Sequence, residues 1–147
     1  MEVFFTALAD KTRLRLLNLM RDEEVCVCFF TEVLGHSQPK ISRHLAYLRN
    51  AQIVEARREG KWMHYSISTP KDEGGRKVLN DILEWLASRE DMRQEREKYK
   101  QICCSPEMLV QIARTPIDFI PLEPYLFGVK NRDNPSAARN ELEEFLL

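Results

Sequence analysis

The chain of 147 residues has no long apolar run and no surplus of either charge. Its longest apolar stretch spans only residues 25–30, so we expect no transmembrane segment. The N-terminus has neither a basic segment nor a long apolar one, so no signal peptide is expected and the predicted location is cytoplasmic. Because 22 basic residues are balanced by 23 acidic ones, any surface that binds nucleic acid must be a local basic patch.

The sequence also lacks the residue groupings typical of enzymes. No glycine loop suited to a phosphate, no Cys-x-x-Cys motif and no Cys–His catalytic pair is present. A thiol enzyme centred on Cys103 and Cys104 is therefore the least favoured function. Apolar residues make up 44% of the chain and charged residues 31%, as in an ordinary globular protein.

A helix-turn-helix is indicated by residues 26–50. Gly35 stands where a left-handed residue ends one short helix, and Ser37 can cap the next. In that second helix Ile41, Leu45 and Leu48 repeat at helical spacing and predict a buried stripe. No acidic residue occurs from 33 to 54, so the opposite face is basic to polar, as a helix in a DNA major groove requires. Two core helices with an accidentally basic surface are the alternative.

A β-hairpin follows, because apolar and polar residues alternate on both sides of Gly60 in residues 53–68. Its tip carries Arg57, Arg58 and Lys61. A hairpin after a helix-turn-helix is a wing, and basic wing tips contact phosphates or the minor groove.

Three regions are predicted: a winged helix-turn-helix DNA-binding domain over 1–70, one long helix over 71–104, and a proline-punctuated extension over 105–147. In the long helix the apolar pattern runs on to Met92, Tyr99 and Ile102, beyond what so small a domain can bury, which predicts a dimer contact. We expect the extension to pack on the body or on a partner subunit.

Three segments resemble the ArsR/SmtB family of winged-helix repressors. Ala7 to Arg15 is similar to its first signature, Ser37 to Ala51 to its recognition helix, and Val54 to Tyr65 to its wing. The resemblance implies a mainly α, dimeric winged helix-turn-helix protein. It also implies a repressor that binds an inverted-repeat operator of a resistance operon and is released by a thiophilic ion or another inducer. By position, the DNA contacts would be Ser37, Gln38, Lys40, Ser42, Arg43, His44, Arg57, Arg58 and Lys61.

The segment Val25-Cys26-Val27-Cys28 is similar to the Cys-Val-Cys of the family's arsenite and antimonite sensors. The resemblance implies an arsenic-resistance repressor released when As(III) or Sb(III) binds these thiolates, since soft ions prefer sulfur. The third cysteine of those sensors is replaced by Thr31. Cys103 and Cys104 are the candidate source of the missing sulfur; two independent two-sulfur sites, or a redox role for the vicinal pair, are the alternatives.

The thiols could instead sense another soft metal (Cd, Pb or Zn) or oxidants. The long helix holds no histidine for an interfacial zinc site, and no cysteine precedes Val25 as the cadmium and lead sensors require. On a regular helix Cys26 and Cys28 lie on opposite faces. We therefore expect the start of their helix to unwind or distort when both bind one ion, which would couple the ion to the recognition helix.

Overall fold

The computed structural model describes residues 1–105, Glu107 and Val110. This part of the chain forms a mainly helical domain with a small antiparallel sheet. None of its helices is long and apolar enough to cross a bilayer. The elements are α1 (Glu2–Leu8), α2 (Lys11–Leu19), β1 (Val25–Cys26), α3 (Val27–Leu34), α4 (Gln38–Asn50), β2 (Val54–Glu59), β3 (Trp62–Ile67), α5 (Glu73–Ser88) and α6 (Glu90–Cys103).

The predicted helix-turn-helix is present as α3 and α4. Gly35 ends α3 with φ of 67°, a left-handed conformation that suits a residue without Cβ. Helix α4 starts after Ser37, whose side chain makes no capping hydrogen bond, and has proline in its first turn. Ile41, Leu45 and Leu48 are fully buried, so the predicted stripe fastens α4 to the core.

The wing is the hairpin β2–β3, paired from Val54 opposite Ile67 to Glu59 opposite Trp62. Gly60 turns it with φ of 60°. A third strand, β1, was not anticipated: it lies beside β3, with Val25 opposite Tyr65 and Cys26 opposite His64. The sheet order is β1–β3–β2, so the strand that holds the first cysteine of the chain pairs directly with a strand of the wing.

The prediction of one long helix over 71–104 is wrong. Helix α5 ends at Ser88, Arg89 is extended with ψ of 134°, and α6 begins at Glu90. Two side chains support the break: the Ser88 hydroxyl donates to the Trp85 carbonyl, and Arg89 pairs with Asp91 in the first turn of α6.

The break lets α6 fold back on its own domain. Met92, Arg96 and Tyr99 are buried against α2 and α3, so the stripe expected at a dimer contact is covered within one protomer. Arg96 donates to the carbonyls of Asn18 (3.1 Å) and Leu19 (2.9 Å), which satisfies backbone groups left over at the end of α2. The predicted packing of the 105–147 extension lies, apart from Ser105, Glu107 and Val110, outside the described residues.

Candidate nucleic-acid interface and thiol site

The outward face of α4 holds most of the residues predicted to contact DNA. Ser37 and Lys40 are exposed, and Gln38, Ser42 and Arg43 are partly exposed. No carboxylate lies on this helix. Once the apolar stripe is buried, the helix offers cationic and hydrogen-bonding groups to solvent, which are the groups that read phosphates and base edges.

His44, also predicted as a DNA contact, does not belong to this face. It is only 8% exposed, and its Nδ1 lies 3.5 Å from Oδ1 of Asp10 at the start of α2. Burial lowers the pKa of His44, against the pull of Asp10, so the ring is neutral at pH 7. The same Asp10 oxygen accepts the backbone N–H of Arg13 and caps α2. His44 therefore packs α4 against α2.

Tyr47 is an exposed residue of α4 outside the predicted contact set. Its side chain is 49% exposed, and the Arg13 guanidinium lies 5.1 Å from its ring centroid. Arg13 is itself buried and donates to the carbonyls of Thr6 (2.8 Å) and Ala7 (2.6 Å) at the end of α1. One arginine thus joins α1 to α4. The sequence signal was the position of Tyr47 opposite the apolar stripe.

The three basic residues of the wing are all exposed. Lys61 lies over Trp62, with Nζ 5.0 Å from the ring centroid, and Arg58 donates to the Gly60 carbonyl. Arg57 is held by two carboxylates: Nε and Nη2 donate to Glu24 at 2.9 and 2.7 Å, and Nη1 donates to Glu59 at 2.8 Å. The three cations of the wing therefore differ in their partners: Arg57 is paired with carboxylates, Arg58 with a carbonyl and Lys61 with an aromatic ring.

Cys26 and Cys28 are brought together where β1 meets α3. Their Sγ atoms lie 2.8 Å apart and both thiols are free. Cys26 is extended, with φ of −69° and ψ of 141°, and stands at the N-cap of α3, while Cys28 lies in its first turn. The expectation that the helix start must unwind to bring the two sulfurs together is therefore wrong, because Cys26 is not helical.

The pKa values of the two thiols are shifted in opposite directions. The Cys28 thiol donates a hydrogen bond to Cys26 and lowers the pKa of Cys26 to about 7. That same bond and burial raise the pKa of Cys28. At neutral pH Cys26 is therefore partly ionised, as a thiolate at the N-terminus of a helix, while Cys28 keeps its proton.

Cys103 is the last residue of α6, and Cys104 is its C-cap. Cys103 is half-buried against the core, and Cys104 is exposed. Tyr99, four residues before Cys103 on α6, makes an edge-to-face contact with Phe29 of α3 at 5.7 Å between centroids. Within the described residues no three Cys, His, Asp or Glu side chains are gathered to hold an ion, so the two cysteine pairs do not form one site there. Thr31 donates to the Cys28 carbonyl at 2.7 Å.

Comparisons with known proteins agree with this geometry. The family model described as "Bacterial regulatory protein, arsR family" matches residues 10–56. The arsenic resistance transcriptional regulator ArsR1 of Pseudomonas putida KT2440 is 42% identical over 90 residues, which are 58% of this chain and 70% of that protein. The arsenical resistance operon repressor of Escherichia coli K12 is 39% identical over 90 residues, 60% of this chain and 75% of that protein.

Among solved structures, HlyU from Vibrio cholerae N16961 is similar with a TM-score of 0.51 and 27% identity, over 58% of this chain and 90% of HlyU. The relatives named above are transcriptional regulators rather than enzymes. The chain belongs to the ArsR family of winged helix-turn-helix transcriptional repressors.

Proposed function

We propose that this repressor controls an arsenic-resistance operon and leaves its operator when As(III) or Sb(III) binds Cys26 and Cys28. The observation that carries the proposal is the pair of free thiols 2.8 Å apart at the start of α3, the first helix of the helix-turn-helix. Two relatives at about 40% identity are named as arsenic resistance regulators, which supports arsenic as the inducer.

Operator binding is assigned to α4 and the wing. Ser37, Gln38, Lys40, Ser42 and Arg43 would enter the major groove, because they occupy the outward face of a helix without carboxylates. Arg57, Arg58 and Lys61 would contact phosphates or the minor groove beside it. His44 is left out of this set because its side chain is buried.

The thiol pair suits a soft trivalent ion. One sulfur carries a pKa lowered to about 7 and is ready to bind, and its hydrogen-bonding partner is adjacent and loses its proton on binding. This pair provides two of the three sulfurs that As(III) can take. We assign the third to Cys103 or Cys104, from the same subunit after a rearrangement or from the partner subunit.

The repressor is proposed to act as a homodimer on an inverted repeat. Val3 and Phe5 of α1 are 53% and 51% exposed, and Trp85 of α5 is 52% exposed. Large apolar side chains left on helix faces mark interaction surfaces. We assign the dimer contact to α1 and α5, since α6 is already packed on its own domain.

The test is a gel-shift titration of the full chain on its own upstream DNA. Arsenite is expected to release the DNA at concentrations where zinc has no effect, and the variant Cys26→Ser/Cys28→Ser is expected to stay bound. If no ion and no oxidant changes the DNA affinity of the wild type, the proposal is wrong.

The second candidate is a repressor that senses another soft metal (Cd, Pb or Zn) or oxidants through the same thiols. The lowered pKa of Cys26 favours it, because a thiolate at neutral pH also reacts with peroxide and binds cadmium. Release by cadmium, lead or peroxide, without release by arsenite, would support this function over the first.

A further inference from the structure

The salt bridge between Glu24 and Arg57 connects the thiol segment to the wing. Glu24 lies two residues before Cys26, and Arg57 lies on β2 near the wing tip. Both nitrogens on one edge of the guanidinium, Nε and Nη2, donate to the Glu24 carboxylate at 2.9 and 2.7 Å. This parallel, two-bond arrangement is the geometry in which arginine also binds a phosphate. Glu24 therefore occupies the edge of Arg57 that would bind DNA.

The sheet register also aligns the thiol segment with the wing, across the three strands. Cys26 lies opposite His64 on β3, and His64 lies opposite Arg57 on β2. Directly opposed residues of antiparallel strands project to the same face of a sheet, with Cβ atoms about 5 Å apart. Cys26 is thus connected to Arg57 through the paired strand β3 as well as through Glu24.

The charges at Arg57 oppose DNA binding in this arrangement. Glu24 and Glu59 together place two negative charges on one guanidinium, so the positive charge of Arg57 is offset before any DNA phosphate approaches it. DNA must replace Glu24 before Arg57 can contact a phosphate, and that exchange reduces the gain from counterion release.

We propose that Glu24 is a positioning residue that competes with DNA phosphates for Arg57 and makes the wing sensitive to the state of Cys26 and Cys28. In the released state Glu24 holds Arg57; in the DNA-bound state Arg57 turns to a phosphate. An ion on both sulfurs fixes the backbone from Glu24 to Cys28 in the arrangement that holds Arg57, and so favours the released state. This coupling rests on the proposed function, because it requires that the thiols bind the inducer.

The first test is a double-mutant cycle on DNA affinity without inducer. Glu24→Gln is expected to tighten operator binding about fivefold at 0.1 M salt and to steepen the dependence of log K on log salt by about one unit for each wing. Arg57→Gln in the Glu24→Gln background is expected to abolish this gain. The control is Glu55→Gln, which removes another carboxylate from β2, the strand that holds Arg57. The Glu55 carboxylate contacts Ser66 rather than Arg57, so a much smaller change in DNA affinity is expected.

Two results of this cycle would overturn the proposal. One is that Glu24→Gln behaves like Glu55→Gln; the other is that its gain persists without Arg57, which would make it a general charge effect. Thermal unfolding of each variant shows whether it is folded, and the salt slope would not respond to a purely structural role of Glu24.

The second test measures the fold-change in operator affinity caused by arsenite. Glu24→Gln is expected to reduce that fold-change at least threefold, whereas Glu59→Gln is expected to preserve it, because Glu59 touches Arg57 but is not joined to the thiol segment. An unchanged arsenite response in Glu24→Gln overturns the coupling. A wild type that arsenite does not release contradicts the proposed function instead, and the first test still decides the competition between Glu24 and DNA.

Discussion

The Sγ atoms of Cys26 and Cys28 lie 2.8 Å apart because Cys26 is the extended residue before α3 and Cys28 is in the first turn of that helix. A strand-to-helix junction thus brings together two side chains that a continuous helix would separate. The consequence is a dithiol that is already assembled before any ion binds.

Replacing Cys28 with alanine should make Cys26 less reactive. The Cys28 thiol donates the hydrogen bond that lowers the pKa of Cys26 to about 7, so its removal returns the pKa of Cys26 towards the ordinary value for a thiol. The rate of alkylation by iodoacetamide at pH 7 should fall about tenfold. Mass spectrometry of the modified peptide measures this rate for Cys26 alone. An unchanged pH profile of alkylation would show that Cys28 does not activate Cys26.

The number of sulfur ligands should depend on the C-terminal cysteines. Arsenic-edge X-ray absorption on the loaded wild type is expected to show three sulfurs, with two from the α3 junction and one from α6. The variant Cys103→Ser/Cys104→Ser is expected to show two sulfurs and one lighter atom. Three sulfurs in that variant would contradict the assignment of the third ligand to α6.

His44 should make folding stability fall on mild acidification. Its pKa is lowered in the folded protein, mainly by burial, so the unfolded chain takes up the proton first as pH drops below about 6.5. Stability from His44 is present above that pH and is lost as the pH falls from there towards the folded pKa. Urea unfolding of the wild type and of His44→Gln at pH 7.5 and 5.0 should show a smaller acid loss in the variant. Equal losses would mean that His44 is not the titrating group.

Arg96 should be important for attaching α6 to the domain. It is 7% exposed, donates to two carbonyls at the end of α2, and pairs with Asp22 at 2.9 Å. Arg96→Met should lower the free energy of unfolding by about 2 kcal/mol, because buried carbonyls lose their donor. The control Lys77→Met, which removes an exposed salt bridge with Asp81, should cost well under 1 kcal/mol. Similar losses in the two variants, measured by urea unfolding, would contradict this role.

The sequence was most informative where local pattern and burial agree. The stripe Ile41, Leu45 and Leu48 predicted α4, and Gly35 predicted the end of α3, since a left-handed residue and a helical apolar repeat are local properties. The hairpin around Gly60 was predicted for the same reason.

The errors arose where distant residues decide the structure. Strand β1 has two residues, too few to show alternation, and exists because β3 pairs with it. The break at Arg89 contains no glycine or proline that would mark it in the sequence. It depends on the packing of α6 against α2 and α3. His44 lies at the flank of the α4 stripe, and Asp10 of α2 determines that it faces inward.

The most direct test of the central claim is the release of operator DNA by arsenite in Cys28→Ser. Serine preserves the size and hydrogen-bonding capacity of the side chain but removes one of the two adjacent sulfurs. Fluorescence anisotropy with labelled operator should show an unchanged Kd without arsenite and a loss of release with it, while Thr31→Ser, which changes a neighbouring non-sulfur residue, responds like the wild type. Full release of Cys28→Ser at wild-type arsenite concentrations would contradict the claim that the Cys26–Cys28 pair is the sensor.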